Sequence, residues 1–109
     1  MKIKVGLGKK KFDVNARELS EFEMFFGLMF KTKESENLLF DKKGRWAIHS
    51  FFVFFPFLAL WLDEKNKVVD SKIVKPFSFF VMSRKEFAKL VEIPINVRNE
   101  SIISLLRRD

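Results

Sequence analysis

Two side chains stand out for the chemistry they would support. His49 is the chain's one histidine, and Glu92 is a carboxylate inside the apolar run Leu90-Val91-Glu92-Ile93-Pro94. An imidazole ionises near neutral pH and serves as an acid, a base or a metal ligand. A carboxylate with apolar neighbours on a strand loses water, and desolvation raises its pKa toward the range useful in proton transfer. Strand alternation puts Glu92 on the face of Leu90; its simpler role is a strand-end carboxylate facing solvent or a lysine. One histidine excludes a multi-histidine metal site, and no carboxylates can be placed beside it for a mixed one. Ser50 follows His49, but neighbours on a strand point to opposite faces, so the two are not a nucleophile–base pair. On such a strand His49 shares its face with Ala47, Phe51 and Val53, as a hydrogen-bonded core or pocket-edge residue. Trp46 and Trp61, with Lys42, Lys43 and Arg45 nearby, offer faces on which a sugar or base would stack. Core packing explains both equally well. His49, Glu92, Trp46 and Trp61 together make the candidate pocket. No phosphate loop, zinc motif, kinase set or nucleophile elbow accompanies them, so no cofactor, metal or catalytic residue is assigned.

The elements that must position these residues are organised around Trp46–Leu62, an uncharged stretch with five phenylalanines between Phe51 and Phe57. Its length is at the lower edge of a membrane span. Pro56 would break a helix there, His49 and Ser50 are polar, and aromatic and β-branched residues favour strands. The expectation is therefore two buried strands, about 46–54 and 57–62, and no membrane span. Before them, Lys2–Leu7 alternates as a half-buried strand and 11–14 as a second, with a turn at Gly8. Asn15 reads as a helix N-cap with Glu18 three residues on. Leu19, Phe22, Phe26 and Met29 then make an apolar helical stripe facing the core, ended by Gly27. Residues 37–40 read as a buried strand and 41–44 as a turn. Asp63-Glu64-Lys65-Asn66 is a hairpin turn returning through a strand at 68–75. Residues 77–82 form another apolar run, 83–93 reads as either helix or strand, and 99–108 as a short helix whose terminal arginines complement its dipole. Short connections favour antiparallel pairing. The fold class expected is mainly β with an α+β tendency: an antiparallel sandwich-like or barrel-like single domain, with one short helix near 16–27 and a second at the C-terminus.

The chain has 109 residues, a net charge of +7 and a pI near 9.8. Its lysines and arginines are interleaved with acids, and the longest basic run is Lys9-Lys10-Lys11, too short for a distinct nucleic-acid footprint. Cysteine is absent, which removes disulfides and thiolate chemistry. With no secretory signal at Met1–Leu7, the expected location is the cytoplasm.

The order of these signals resembles a known family. Gly27-Leu28-Met29 is followed by Asn37-Leu38-Leu39-Phe40, by Pro56 ahead of Leu58–Asp63, by Lys67-Val68-Val69, by Pro76 and by Glu92-Ile93-Pro94. This is similar to the uncharacterised domain-of-unknown-function family numbered 192, from about Val14 to Pro94. The resemblance implies a small β-sandwich-like domain and no agreed activity. The chain departs from it at Leu58, where the family has Asp, at Asn37, where it has Gly, and in lacking the glycine after the Glu-Leu-Pro segment.

The reading that follows is a non-enzymatic module that binds a small ligand or a protein, a second copy included, because aromatic residues exceed what so small a core needs. The alternatives are an enzyme using His49 and Glu92, and nucleic-acid binding through the basic surface.

Overall fold

A computed structural model of the chain describes residues 1–107, with side chains through Leu106. Alternation of Ile3 and Val5 with lysines forms β1 (Lys2–Leu7), which pairs antiparallel with β2 (Lys10–Asn15). Gly8 makes the connecting turn at φ +61°, a left-handed conformation that a side chain would strain. The other strands are β3 (Arg17–Glu18), β4 (Leu38–Phe40), β5 (Phe57–Leu62), β6 (Val68–Val74) and β7 (Lys89–Pro94). They form a second sheet in the order β3-β4-β7-β5-β6. Every pairing in it is antiparallel except the short β3–β4 contact. The β5–β6 turn is held by the Asp63 carboxylate, which accepts from the Lys65 and Lys67 N–H groups at 2.8 and 2.9 Å.

Both faces of the five-stranded sheet are covered. On one, Leu58, Leu60, Leu62, Val91 and Ile93 pack against Ile3, Val5 and Val14 of the hairpin and Ile103 of the C-terminal helix α2 (Glu100–Arg107). On the other, Phe57, Ala59, Trp61 and Leu90 pack beneath segments 19–29 and 46–55 and Phe87. The architecture is mainly β and layered, with no closed barrel. Among the described residues, no helix is long and apolar enough to cross a membrane.

Several local expectations are corrected. Asn15 does not cap a helix, because β2 and β3 keep residues 10–18 extended. Ser20 caps instead, in a full capping box with Glu23, and the helix α1 is only Glu21–Met24. Turns continue from Phe25 to Phe30, with Gly27 at φ +51° and Phe30 at φ +61°. The stripe does not face the core evenly: Leu19 is buried, while Phe22 is 77% exposed. The strand expected at 46–54 is reduced to a single bridge, Ile48 with Val81, and the chain turns at Phe51-Phe52. The segment joins neither sheet; its backbone groups bond instead to Phe77, Ser78 and Val81. The run at 77–82 forms a β-bridge with it only at Val81. The ambiguous stretch resolves as β7, preceded by bends at 84–85. The C-terminal helix is present behind a 3-10 turn, Val97–Asn99. The Arg107 and Arg108 side chains expected to complement its dipole lie outside the described residues.

Candidate functional site

Central strand β7 sets Glu92 between Leu38 of β4 and Ala59 of β5, its cross-strand neighbours. Neither can solvate a carboxylate. Above it runs the turn at Gly27, where a Cβ would stand 3.2 Å from Glu92 Oε1 and 3.4 Å from Phe40 Cζ. The glycine is thus required both by its backbone angle and by the approach of the carboxyl group. Glu92 is 4% exposed, none of the described hydrogen bonds reaches it, and burial alone pushes its pKa up to about 8. At neutral pH the group is mostly a neutral acid, able to donate one hydrogen bond and accept others.

The carboxyl group faces a cavity of about 340 Å³. The cavity is lined by Phe40 and Phe57, by residues 24–29 and by Trp46–His49 with Val53, and Glu21 and Lys42 also border it. Trp46 is half-buried, anchored by its indole N–H on the Lys42 carbonyl at 2.9 Å and by ring contacts to Phe40 and Phe87 at 5.9 and 5.2 Å. His49 is exposed. Its Nδ1 accepts the Phe51 N–H at 3.2 Å, which assigns the ring proton to Nε2.

Of the four residues expected to form a pocket, the fold therefore brings His49, Glu92 and Trp46 to one cavity. Trp61 is elsewhere: it is wholly buried in the core beside Phe87, and its indole N–H has no partner. As a β5 residue on a doubly covered sheet it has no route to solvent. Ser50 and His49 point apart, the serine buried and the histidine exposed. Leu58 lies on the opposite face of the sheet from Glu92, packed with Leu60 and Ile93. Sequence reasoning missed Met24, Phe25 and Phe26, which line the cavity because the helix ends at Met24 and irregular turns follow it. Among the described residues, no three His, Cys, Asp or Glu side chains gather as a metal site.

No protein-family model and no curated protein sequence matches the chain. Its fold does have solved counterparts. A crystal structure of a protein of unknown function from Novosphingobium aromaticivorans DSM 12444 superposes with a TM-score of 0.75 at 13% identity, over 92% of this chain and 76% of that one. A crystal structure described as a putative transcription regulator from Sinorhizobium meliloti 1021 gives a TM-score of 0.71 at 15% identity, over 84% of this chain and 76% of the other. At these identities the likeness is one of fold.

Proposed function

We propose that the chain is a cytoplasmic ligand-binding module whose cavity takes a small, uncharged molecule with an apolar body and an amide-like edge. The observation that carries this reading is the Glu92 carboxyl group, buried without a protein partner and directed at an aromatic-walled space. A buried polar group without a partner is costly, and a ligand offering one acceptor and one donor would satisfy it. The volume suits a fragment-sized molecule, at the lower end of ligand sites. Gly27, Phe40 and Glu92 come from three separate segments of the resemblance to family 192 and meet at this one point. That convergence supports a ligand site common to the three segments.

The test is a fragment screen by two-dimensional NMR, comparing neutral carboxamides with their ammonium analogues. Carboxamides are expected to shift the Gly27 and His49 amide signals and the Trp46 indole signal, with affinity falling above about pH 8 as Glu92 ionises. Carboxamides that leave those signals unmoved would remove the reading. A second reading, catalysis by His49 with Glu92, is favoured by their sharing one cavity. It requires turnover of some bound fragment that Glu92→Gln and His49→Gln each abolish.

A further inference from the structure

Nine phenylalanines are exposed to solvent by 40% or more: Phe22, 25, 26, 30, 52, 54, 77, 79 and 80. At about 200 Å² per ring, this is on the order of 1,000 Å² of apolar surface, more than a monomer of this size ordinarily leaves in water. The rings are not scattered. Phe30 stacks on Phe52 at 5.0 Å, and Phe77 meets Phe52 and Phe54 at 6.3 and 5.3 Å. Phe79 stands edge-on to Phe51 at 4.9 Å, and Phe22 and Phe25 both abut Phe26. They rise from α1 and the turns after it and from segments 51–54 and 77–80, the last two tied together by the Ile48–Val81 bridge and the Ser50 N–H bond to the Ser78 carbonyl.

The backbone imposes this display. Phe30, Phe52 and Phe77 have φ values of 61°, 58° and 59°, left-handed angles that a bulky side chain avoids. Such conformations persist only where the surroundings enforce them. Here buried Ser50 enforces them: its hydroxyl bonds the Lys75 carbonyl and the Ser78 N–H, and its carbonyl accepts the Phe77 N–H at 2.9 Å. The Phe52 carbonyl in turn accepts the Phe30 N–H at 2.9 Å.

Beside the rings lies a groove along β6 lined by Phe80 and by Arg45, Lys72, Lys75 and Arg84, with no carboxylate on its walls. The buried Asp70 carboxylate engages Arg84 at 3.0 Å and offsets one of the four cations, leaving a net positive rim. A phenyl ring carries no polar tip. It suits hydrocarbon, and the cations beside it favour a hydrocarbon layer faced with phosphates. Apolar rings beside lysines and arginines are the combination that seats a protein in the headgroup region of an anionic bilayer. We infer that this loop face docks on anionic membranes, the phenyl rings entering the acyl boundary and the Arg45–Lys72–Lys75 groove meeting lipid phosphates. This does not depend on the occupant of the Glu92 cavity.

The experiment is vesicle co-sedimentation of the full chain, with phosphatidylcholine alone and with phosphatidylglycerol added, at low and high salt. The protein should partition into the anionic vesicles and fall away as salt rises. Phe79→Ser with Phe80→Ser, both on exposed rings, should lower that partition about tenfold or more while thermal melting shows the fold intact. A Phe79→Trp variant should shift its emission to the blue on the same vesicles. No partition into anionic vesicles at low salt would overturn the inference. So would partition unchanged by the serine pair, which marks adsorption by charge alone. Binding to duplex DNA without binding to vesicles, or a dimer in solution that the serine pair dissolves, would assign the face to nucleic acid or to a second copy instead.

Discussion

The two faces of the main sheet are both buried and are covered by opposite means. On one, Leu58, Leu60 and Leu62 meet Ile3, Val5 and Val14, regular strands supplied by a hairpin, with Ile103 of α2 completing the layer. On the other, Phe57, Ala59 and Trp61 lie under turns and single bridges, a cavity opens over Glu92, and phenylalanines point outward at strained angles. Regular elements satisfy their own backbone groups and so close a face completely. Irregular segments need side chains such as Ser50 to do so, and they leave gaps. Stability is thus expected to reside in the hairpin face and function in the loop face.

The largest effect should come from emptying the closed face. Leu60 is fully buried there, and Leu60→Ala should cost about 4 kcal/mol in urea unfolding, by lost burial and the cavity left behind. Phe79→Ala on the loop face should change stability by less than about 0.5 kcal/mol. Comparable costs at the two sites would erase the distinction between the faces.

Next is the pH dependence of Glu92. Its folded pKa of about 8 lies above the ordinary 4.5, so the folded protein holds a proton that the unfolded chain has released. The sign is then fixed: the contribution is fully present below about pH 4.5, is lost as pH rises toward 8, and is flat beyond. With water entering the cavity, the loss between pH 5 and 8 should be about 2–3 kcal/mol. Glu92→Gln should flatten it. A slope that survives in the Gln variant would place the titrating group elsewhere and make the cavity wetter than its walls suggest.

A smaller effect is expected at the cavity roof. Gly27→Ala places a methyl group at φ +51° and 3.2 Å from Glu92 Oε1, which should cost about 1–2 kcal/mol in thermal unfolding. Carboxamide binding should weaken as well, since the new methyl group projects toward the carboxyl. A neutral outcome for both would mean that the turn shifts freely and does not define the site.

The same contrast explains what the sequence made legible. The hairpin face was readable because Ile3, Val5 and Val14 alternate with polar residues, and β5 because Phe57–Leu62 is a continuous apolar run between Pro56 and Asp63. Glu92 was readable only in part: strand alternation put it with Leu90 among apolar neighbours, but the simpler reading was a solvent-facing strand end, and its place between β4 and β5 is what buries it. The loop face was not readable. Composition shows more aromatic residues than so small a core needs but not which ones, because burying a phenyl ring is the usual outcome and nothing local distinguishes a ring that the backbone turns outward. The helical stripe failed for the same reason: spacing of three and four presumes a helix that continues, whereas β3 delays its start and it ends at Met24. Trp61 was placed in the pocket on residue type alone, although its position in β5 commits it to the core.

The smallest effect is the most discriminating. At Phe52, left-handed backbone strain opposes the ring's stacking on Phe30, and the ring is 46% exposed. Strain at a non-glycine αL residue is about 1–2 kcal/mol, while the buried half of the ring contributes about 2–3 kcal/mol and its contacts with Phe30 and Phe77 add to that. Removing the ring therefore costs stability, and the strain is isolated by comparing two truncations: Phe52→Gly should be more stable than Phe52→Ala by up to about 1 kcal/mol, or a few degrees in Tm. Equal stability of the two variants would say the reverse: the turn would relax freely, and the backbone would not impose the outward display of the rings.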